Sequence, residues 1–151
     1  MLPVEKFEEL KKELDECSNP LFIYDDDPDG LCSFLLFYRY KKEGHGVFVK
    51  SVPRVGENFL QHIDKFQPDK VFILDMPMVE DEFFAKVKQP IMWVDHHPHG
   101  HPHHVKSFNP HDHEETENNI STTGLCYNTV KQDIWLAGVG AVGDWTMPSF
   151  M

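Results

Sequence analysis

Residues 25–30 read Asp-Asp-Asp-Pro-Asp-Gly, four carboxylates in five positions directly behind the apolar run Leu21-Phe22-Ile23-Tyr24. Charges of one sign this close repel, so the pattern calls for a bound cation or a well-solvated turn. The spacing Asp25-x-Asp27-x-Asp29-Gly30 imitates the opening of an EF-hand calcium loop. That reading fails twice. The twelfth position, which should be a bidentate glutamate, is Leu36, and the segment in front is strand-like rather than helical. An acidic turn without a ligand and one part of a catalytic metal site both remain open from this stretch alone.

Two further apolar runs end in the same way. "VFILD" delivers Asp75, and "IMWVDHH" delivers Asp95, His96 and His97. Aspartate is a common turn and cap residue, so one such ending is unremarkable. Three, one of them carrying two histidines, point to a shared rim. Mixed carboxylate and imidazole donors suit Mn²⁺ or Mg²⁺ better than thiolate-seeking metals. Enough oxygen ligands converge for two ions with one carboxylate bridging, an arrangement that acidifies a shared water and clamps an in-line displacement at phosphorus. The odd positions of Asp25-x-Asp27-x-Asp29 can face one pocket while Asp26 points elsewhere. Such a site requires Asp75 and His96 to lie within about 10 Å of each other.

The elements that would position these residues alternate. Residues 4–16 carry apolar positions at helical spacing (Val4, Phe7, Leu10, Leu14), and residues 21–24 form a strand. A buried helix is expected over 31–40, starting just after Asp29, followed by a strand at 46–52 and a helix at 57–66. Strands at 70–76 and 91–97 bracket a short helix at 80–87. A polar loop spans 98–119, with a short strand at 105–108, and helices at 121–130 and 134–142 close the chain. Strands apolar throughout, alternating with helices, indicate an α/β fold with a mostly parallel, Rossmann-like sheet flanked by helices. Ligands bind beyond the carboxyl ends of such strands, where the acids lie. Eight histidines fall between His96 and His113. Most of them read as a solvated loop or a weak adventitious metal binder.

At 151 residues one domain is the default. No apolar run can span a bilayer and no signal peptide opens the chain, and three widely spaced cysteines fit a reduced compartment, so a cytoplasmic location is expected. A net charge of −11 argues against a general nucleic-acid footprint. A phosphodiester substrate would be drawn to bound cations rather than to a basic surface.

The ordered motifs resemble the DHH phosphoesterase superfamily, which includes RecJ-type single-strand exonucleases, oligonucleotide and cyclic-dinucleotide phosphodiesterases, and family II inorganic pyrophosphatases. The matching stretches are "DDDPDG" at Asp25 to Gly30, "FILDMP" at Asp75, "VDHH" at Asp95 to His97, and "LAGVGAVGDW" carrying Asp144, in family order over nearly the whole chain. The resemblance implies a single DHH-type domain over residues 1–151 with two Mn²⁺ or Mg²⁺ ions. Asp25 and Asp27 would hold one ion, Asp29, His96 and Asp144 the other, and Asp75 would bridge them. His97 would touch the scissile phosphate, with Asp95 orienting the rim. The implied activity is hydrolysis of phosphodiester bonds in a nucleic acid, oligonucleotide or dinucleotide.

The chain also departs from the family pattern. Asp25 stands where a histidine is often found, which the RecJ-like branch tolerates. Members usually continue into a second, substrate-gripping domain, whereas this sequence stops seven residues after Asp144. The grip is therefore expected from a missing second domain or a partner chain, with weak turnover by these residues alone. Pyrophosphate or phosphomonoester hydrolysis would use the same ions. A non-catalytic scaffold in a replication or repair assembly is the other alternative, although such relatives typically lose ligands and every candidate ligand is present here. A His-rich metal buffer would leave the strand-end aspartates unexplained.

Overall fold

The computed structural model describes residues 2–50, 54–113 and 120–144. Helix α1 (Val4–Asp15) buries Leu10 and Leu14, and strand β1 (Pro20–Asp25) is buried up to Tyr24. Helix α2 (Pro28–Lys41) begins before Asp29 because Asp27 caps it, its carboxylate accepting the Gly30 N–H at 2.7 Å, and Pro28 is already set for the first helical turn. This start corrects the sequence expectation, and it places Asp29 inside the first turn. A side chain at position 30 would collide with the Asp25 carbonyl, so glycine lets α2 press against the end of β1.

Strands β2 (His45–Val49) and β3 (Arg54–Val55) precede a 3₁₀ turn at Glu57–Phe59 and helix α3 (Leu60–Phe66). Strands β4 (Lys70–Leu74) and β5 (Met78–Val79), helix α4 (Asp81–Lys86), and strands β6 (Ile91–Val94) and β7 (Lys106–Phe108) follow. Helices α5 (Thr122–Val130) and α6 (Ile134–Gly143) close the described chain. The expected strand at 46–52 runs partly outside the described residues. β4 and β6 stop sooner than expected, at Leu74 and Val94. The two-stranded β3–β5 sheet carried no sequence signal, at two residues per strand.

The main sheet runs β2-β1-β4-β6-β7 and every pairing in it is parallel. Alternate residues feed two cores. Phe22, Phe72 and Met92 pack with α1, α2, α5 and α6 on one face, while Ile23, Ile73 and Trp93 pack with α3 and α4 on the other. This two-sided burial is why the strands read as apolar throughout. The register pairs Tyr24 with Leu74, Leu74 with Val94, and Val94 with Phe108. Asp25, Asp75, Asp95 and Asn109 are therefore the next residues of four adjacent strands, all on one rim.

Helices α5 and α6 approach closely where Gly140 faces Thr123, and a Cβ there would sit 2.2 Å from the Thr123 hydroxyl oxygen. In an open helix Gly→Ala stabilises by up to about 1 kcal/mol. Gly140→Ala should instead destabilise by about 1–3 kcal/mol through overpacking, read as a lower denaturant midpoint. Gly100→Ala, which meets no atom within 4 Å, should be close to neutral. A Gly140→Ala variant as stable as its parent would contradict the packing.

Candidate metal centre

The rim gathers all six carboxylate and imidazole ligands anticipated from the sequence. Asp25, Asp27 and Asp75 form one group whose ligand atoms lie within 4.8 Å of one another, and Asp29, His96 and Asp144 form a second. Asp75 joins them, its Oδ1 standing 3.4 Å from His96 Nε2, far inside the expected limit. Asp75 and Asp29 are almost fully buried, whereas Asp27 is exposed. Asp26 is exposed and belongs to no ligand group, although its side chain stands close to that of Asp25.

Each position has a local cause. Asp75 directly follows β4 and takes a left-handed backbone, φ 61°, with its N–H donated to the Val94 carbonyl at 2.9 Å. Aspartate adopts that region more readily than most residues, and the conformation ends the strand while turning the carboxylate into the site. Asp29 is fixed by the start of α5: the Thr122 and Thr123 N–H groups donate to its two oxygens at 3.2 and 2.7 Å, and the Thr123 hydroxyl donates as well. The Thr122 hydroxyl donates to Asp75 at 3.0 Å. A carboxylate at a helix N-terminus is favourably placed. Asp144 is less so. It caps the C-terminus of α6, where the helix dipole disfavours an anion.

Burial pushes the carboxyls of Asp25, Asp29, Asp75 and Asp144 above the usual range. The Asp27 charge adds to the rise at Asp25, which reaches about 6, and the Asp29 and Asp27 charges add to it at Asp75. His96 lies among these acids with a buried Nε2 that has no hydrogen-bond partner among the described residues. Its neighbours Asp29, Asp75 and Asp144 approach at 3.4, 3.4 and 3.6 Å. Ligands about 2.0–2.2 Å from one ion stand roughly 3.0–3.6 Å apart. The orphaned nitrogen, the crowded acids and the oxygen-rich donor set therefore fit a divalent cation.

His97 and Asp95 behave differently. His97 is 39% exposed, and its Nδ1 meets Asp95 Oδ1 at 2.7 Å. Burial raises the Asp95 carboxyl, but hydrogen bonds from His97 and His99 outweigh it and hold it below the usual range. The bond to Asp95 raises His97. A third grouping, Asp75, Asp95, His96 and His97, is also close enough to hold an ion. Four contributors escaped the sequence reading: Thr122, Thr123, His99 and Asn109. "STTG" at 121–124 has the pattern of a helix N-cap, but its contact with Asp29 spans more than 90 residues.

A carboxyl with a higher pKa folded than unfolded favours folding fully below its unfolded pKa. That contribution disappears as pH rises through the folded value. For Asp25 the window runs from about 4 to about 6. In metal-free protein, Asp25→Asn should match the parent melting temperature at pH 4 and exceed it at pH 7. Saturating Mn²⁺ should reverse the order at pH 7. A gap independent of pH would show that Asp25 is not strained by its neighbours.

Solved proteins similar to the chain in fold include exonuclease RecJ and CDC45. Exonuclease RecJ bound to manganese superimposes with a TM-score of 0.72 at 15% identity, over 95% of this chain and 43% of that one. RecJ in complex with Mn²⁺ from Thermus thermophilus gives 0.66 at 16% identity, over 98% of this chain and 22% of that one. CDC45 from Entamoeba histolytica gives 0.66 at 14% identity, over 95% and 34%. The chain thus spans less than half the length of each. No curated protein sequence matches it. The family description "DHH family, N-terminal domain" matches residues 21–141, which include every expected ligand on the rim except Asp144. The chain belongs to the DHH family and contains its N-terminal domain.

Proposed function

We propose that this domain hydrolyses phosphodiester bonds of a nucleic acid, oligonucleotide or dinucleotide, using two Mn²⁺ or Mg²⁺ ions. The observation that carries the reading is His96 Nε2, buried, without a hydrogen-bond partner among the described residues and ringed at 3.4–3.6 Å by three carboxylates beside a second acidic group. Asp25 and Asp27 would hold one ion, Asp29, His96 and Asp144 would hold the other, and Asp75 would serve both. Manganese in the two RecJ structures supports Mn²⁺ as the first choice. When bound, such ions polarise phosphate oxygens and lower the pKa of a shared water.

The chain's own residues do the rest. Thr122 and Thr123 hold Asp29 and Asp75 in place before any cation arrives, so these two need little reorganisation. His97, its Nδ1–H held by Asp95, turns Nε2 towards a non-bridging phosphate oxygen. In its imidazolium form, which Asp95 favours, the Nε2–H donates there and steadies developing charge. The half-exposed His97 and exposed Asp27 leave the rim open to a polymer end. Grip on the rest of the substrate comes from a second domain or a partner chain. Contacts remote from the phosphate raise turnover as well as affinity, so a small activated diester should lose less than a polynucleotide without them.

Mn²⁺-dependent hydrolysis should be measured side by side on a dinucleotide, a short single strand and pyrophosphate. The diesters should be cleaved, and Asp75→Asn should reduce their turnover roughly a hundredfold or more by removing the shared negative charge. Asp26→Asn should stay within about threefold of its parent, as expected for a surface change. Cleavage of pyrophosphate alone would favour the runner-up hydrolase. Two tightly bound ions with no turnover of any substrate would favour the partner-dependent scaffold.

A further inference from the structure

Asp95 is completely buried, and both its oxygens are engaged: Oδ1 by His97 Nδ1 at 2.7 Å, Oδ2 by His99 Nε2 at 2.9 Å. An ionised carboxylate only accepts, so each histidine donates, and in a neutral ring the donation fixes which nitrogen carries the proton. His99 is itself held from two sides. Its ring lies on the Trp93 indole, centroids 3.8 Å apart and planes within 7°, and that indole is tethered by its Nε1–H to the Met76 carbonyl at 2.9 Å. Asn109 Nδ2 lies 3.3 Å from His99 Nε2, a contact that is not a hydrogen bond while that nitrogen donates to Asp95. The Asn109 amide is oriented by accepting the His111 N–H at 2.9 Å and donating to the His97 carbonyl at 2.7 Å. Backbone and ring of His97 are thus held through one assembly.

We infer that His99 is a positioning residue: by occupying the second oxygen of Asp95 it fixes the rotation of that carboxylate and so locks His97 with a proton on Nδ1. The inference rests on the proposed role of His97. Asp95 already lies with Asp75, His96 and His97 in the third grouping on the rim, and without His99 its second oxygen loses the donor that holds it. The carboxylate can then rotate, and His97 loses its fixed tautomer. The crowded run "DHHPHGHPHH" thereby gains one member with a defined task.

The test uses ¹⁵N spectra of the imidazole nitrogens together with kinetics. Neutral His97 in the parent should be protonated on Nδ1 and bare on Nε2. His99→Phe keeps a ring on Trp93 but removes the donor. It should give mixed His97 tautomers and a kcat about 10- to 100-fold lower, the usual range for losing such support. KM and Mn²⁺ affinity should stay within about twofold, a split that a general loss of structure would not produce. His99→Gln restores an N–H and should recover most of both losses. Neutral His97 protonated on Nε2 in the parent, a reading that needs no variant, would overturn the proposal, as would a parental tautomer in His99→Phe. These spectra need no substrate, so absent turnover in the parent counts against the hydrolase reading alone.

Discussion

The structure is organised around the mutual repulsion of carboxylates brought to one edge of a parallel sheet. Asp29 and Asp75 are buried, and Asp25 and Asp144 lie close by; burial raises the pKa of all four. A domain that needed only stability would not collect them, because removing a charge from water costs several kcal/mol unless a partner compensates. No cationic Lys or Arg reaches these acids among the described residues. Among the described residues their compensation comes from α5 hydrogen bonds to Asp29 and Asp75, a backbone hydrogen bond from Asp26 to Asp25, and the His96 and His97 rings. That deficit is what a divalent ion would relieve.

The scaffold enforces the arrangement by register and close approach. In-register parallel pairing sets the ends of β1, β4 and β6 level, so three separate stretches of chain deliver acids to one line. The left-handed turn at Asp75 directs its side chain inward instead of continuing the strand. On the helical side, Gly140 lets α6 approach α5 closely, which brings Asp144 over the start of α5, where Thr123 already holds Asp29. Rigid elements thus hold the acids against their repulsion, and a bound ion would stabilise the fold by mass action.

Much of this was legible in the amino-acid sequence, for identifiable reasons. β1, β4 and β6 are buried on both faces, so continuous apolar runs marked them, and the acids that follow marked the rim. Helix starts were less visible: Asp27-Pro28 is a cap and first-turn pair, yet the acidic motif around it concealed that role. Interactions across long sequence separation could not be read at all. The Thr122 and Thr123 bonds to Asp29 depend on two distant helices meeting, and His99 is distinguished from its histidine neighbours only by lying on Trp93 and reaching Asp95. Strand ends follow local pattern, whereas the residues that brace them follow tertiary packing.

The most direct measurement is anomalous diffraction at the manganese edge from crystals of the protein grown with Mn²⁺. Two peaks are expected, one among Asp25, Asp27 and Asp75, the other among Asp29, His96 and Asp144, with Asp75 in reach of both. No peak on the rim, or a peak held by Asp95 and the histidine-rich loop instead, would contradict the account.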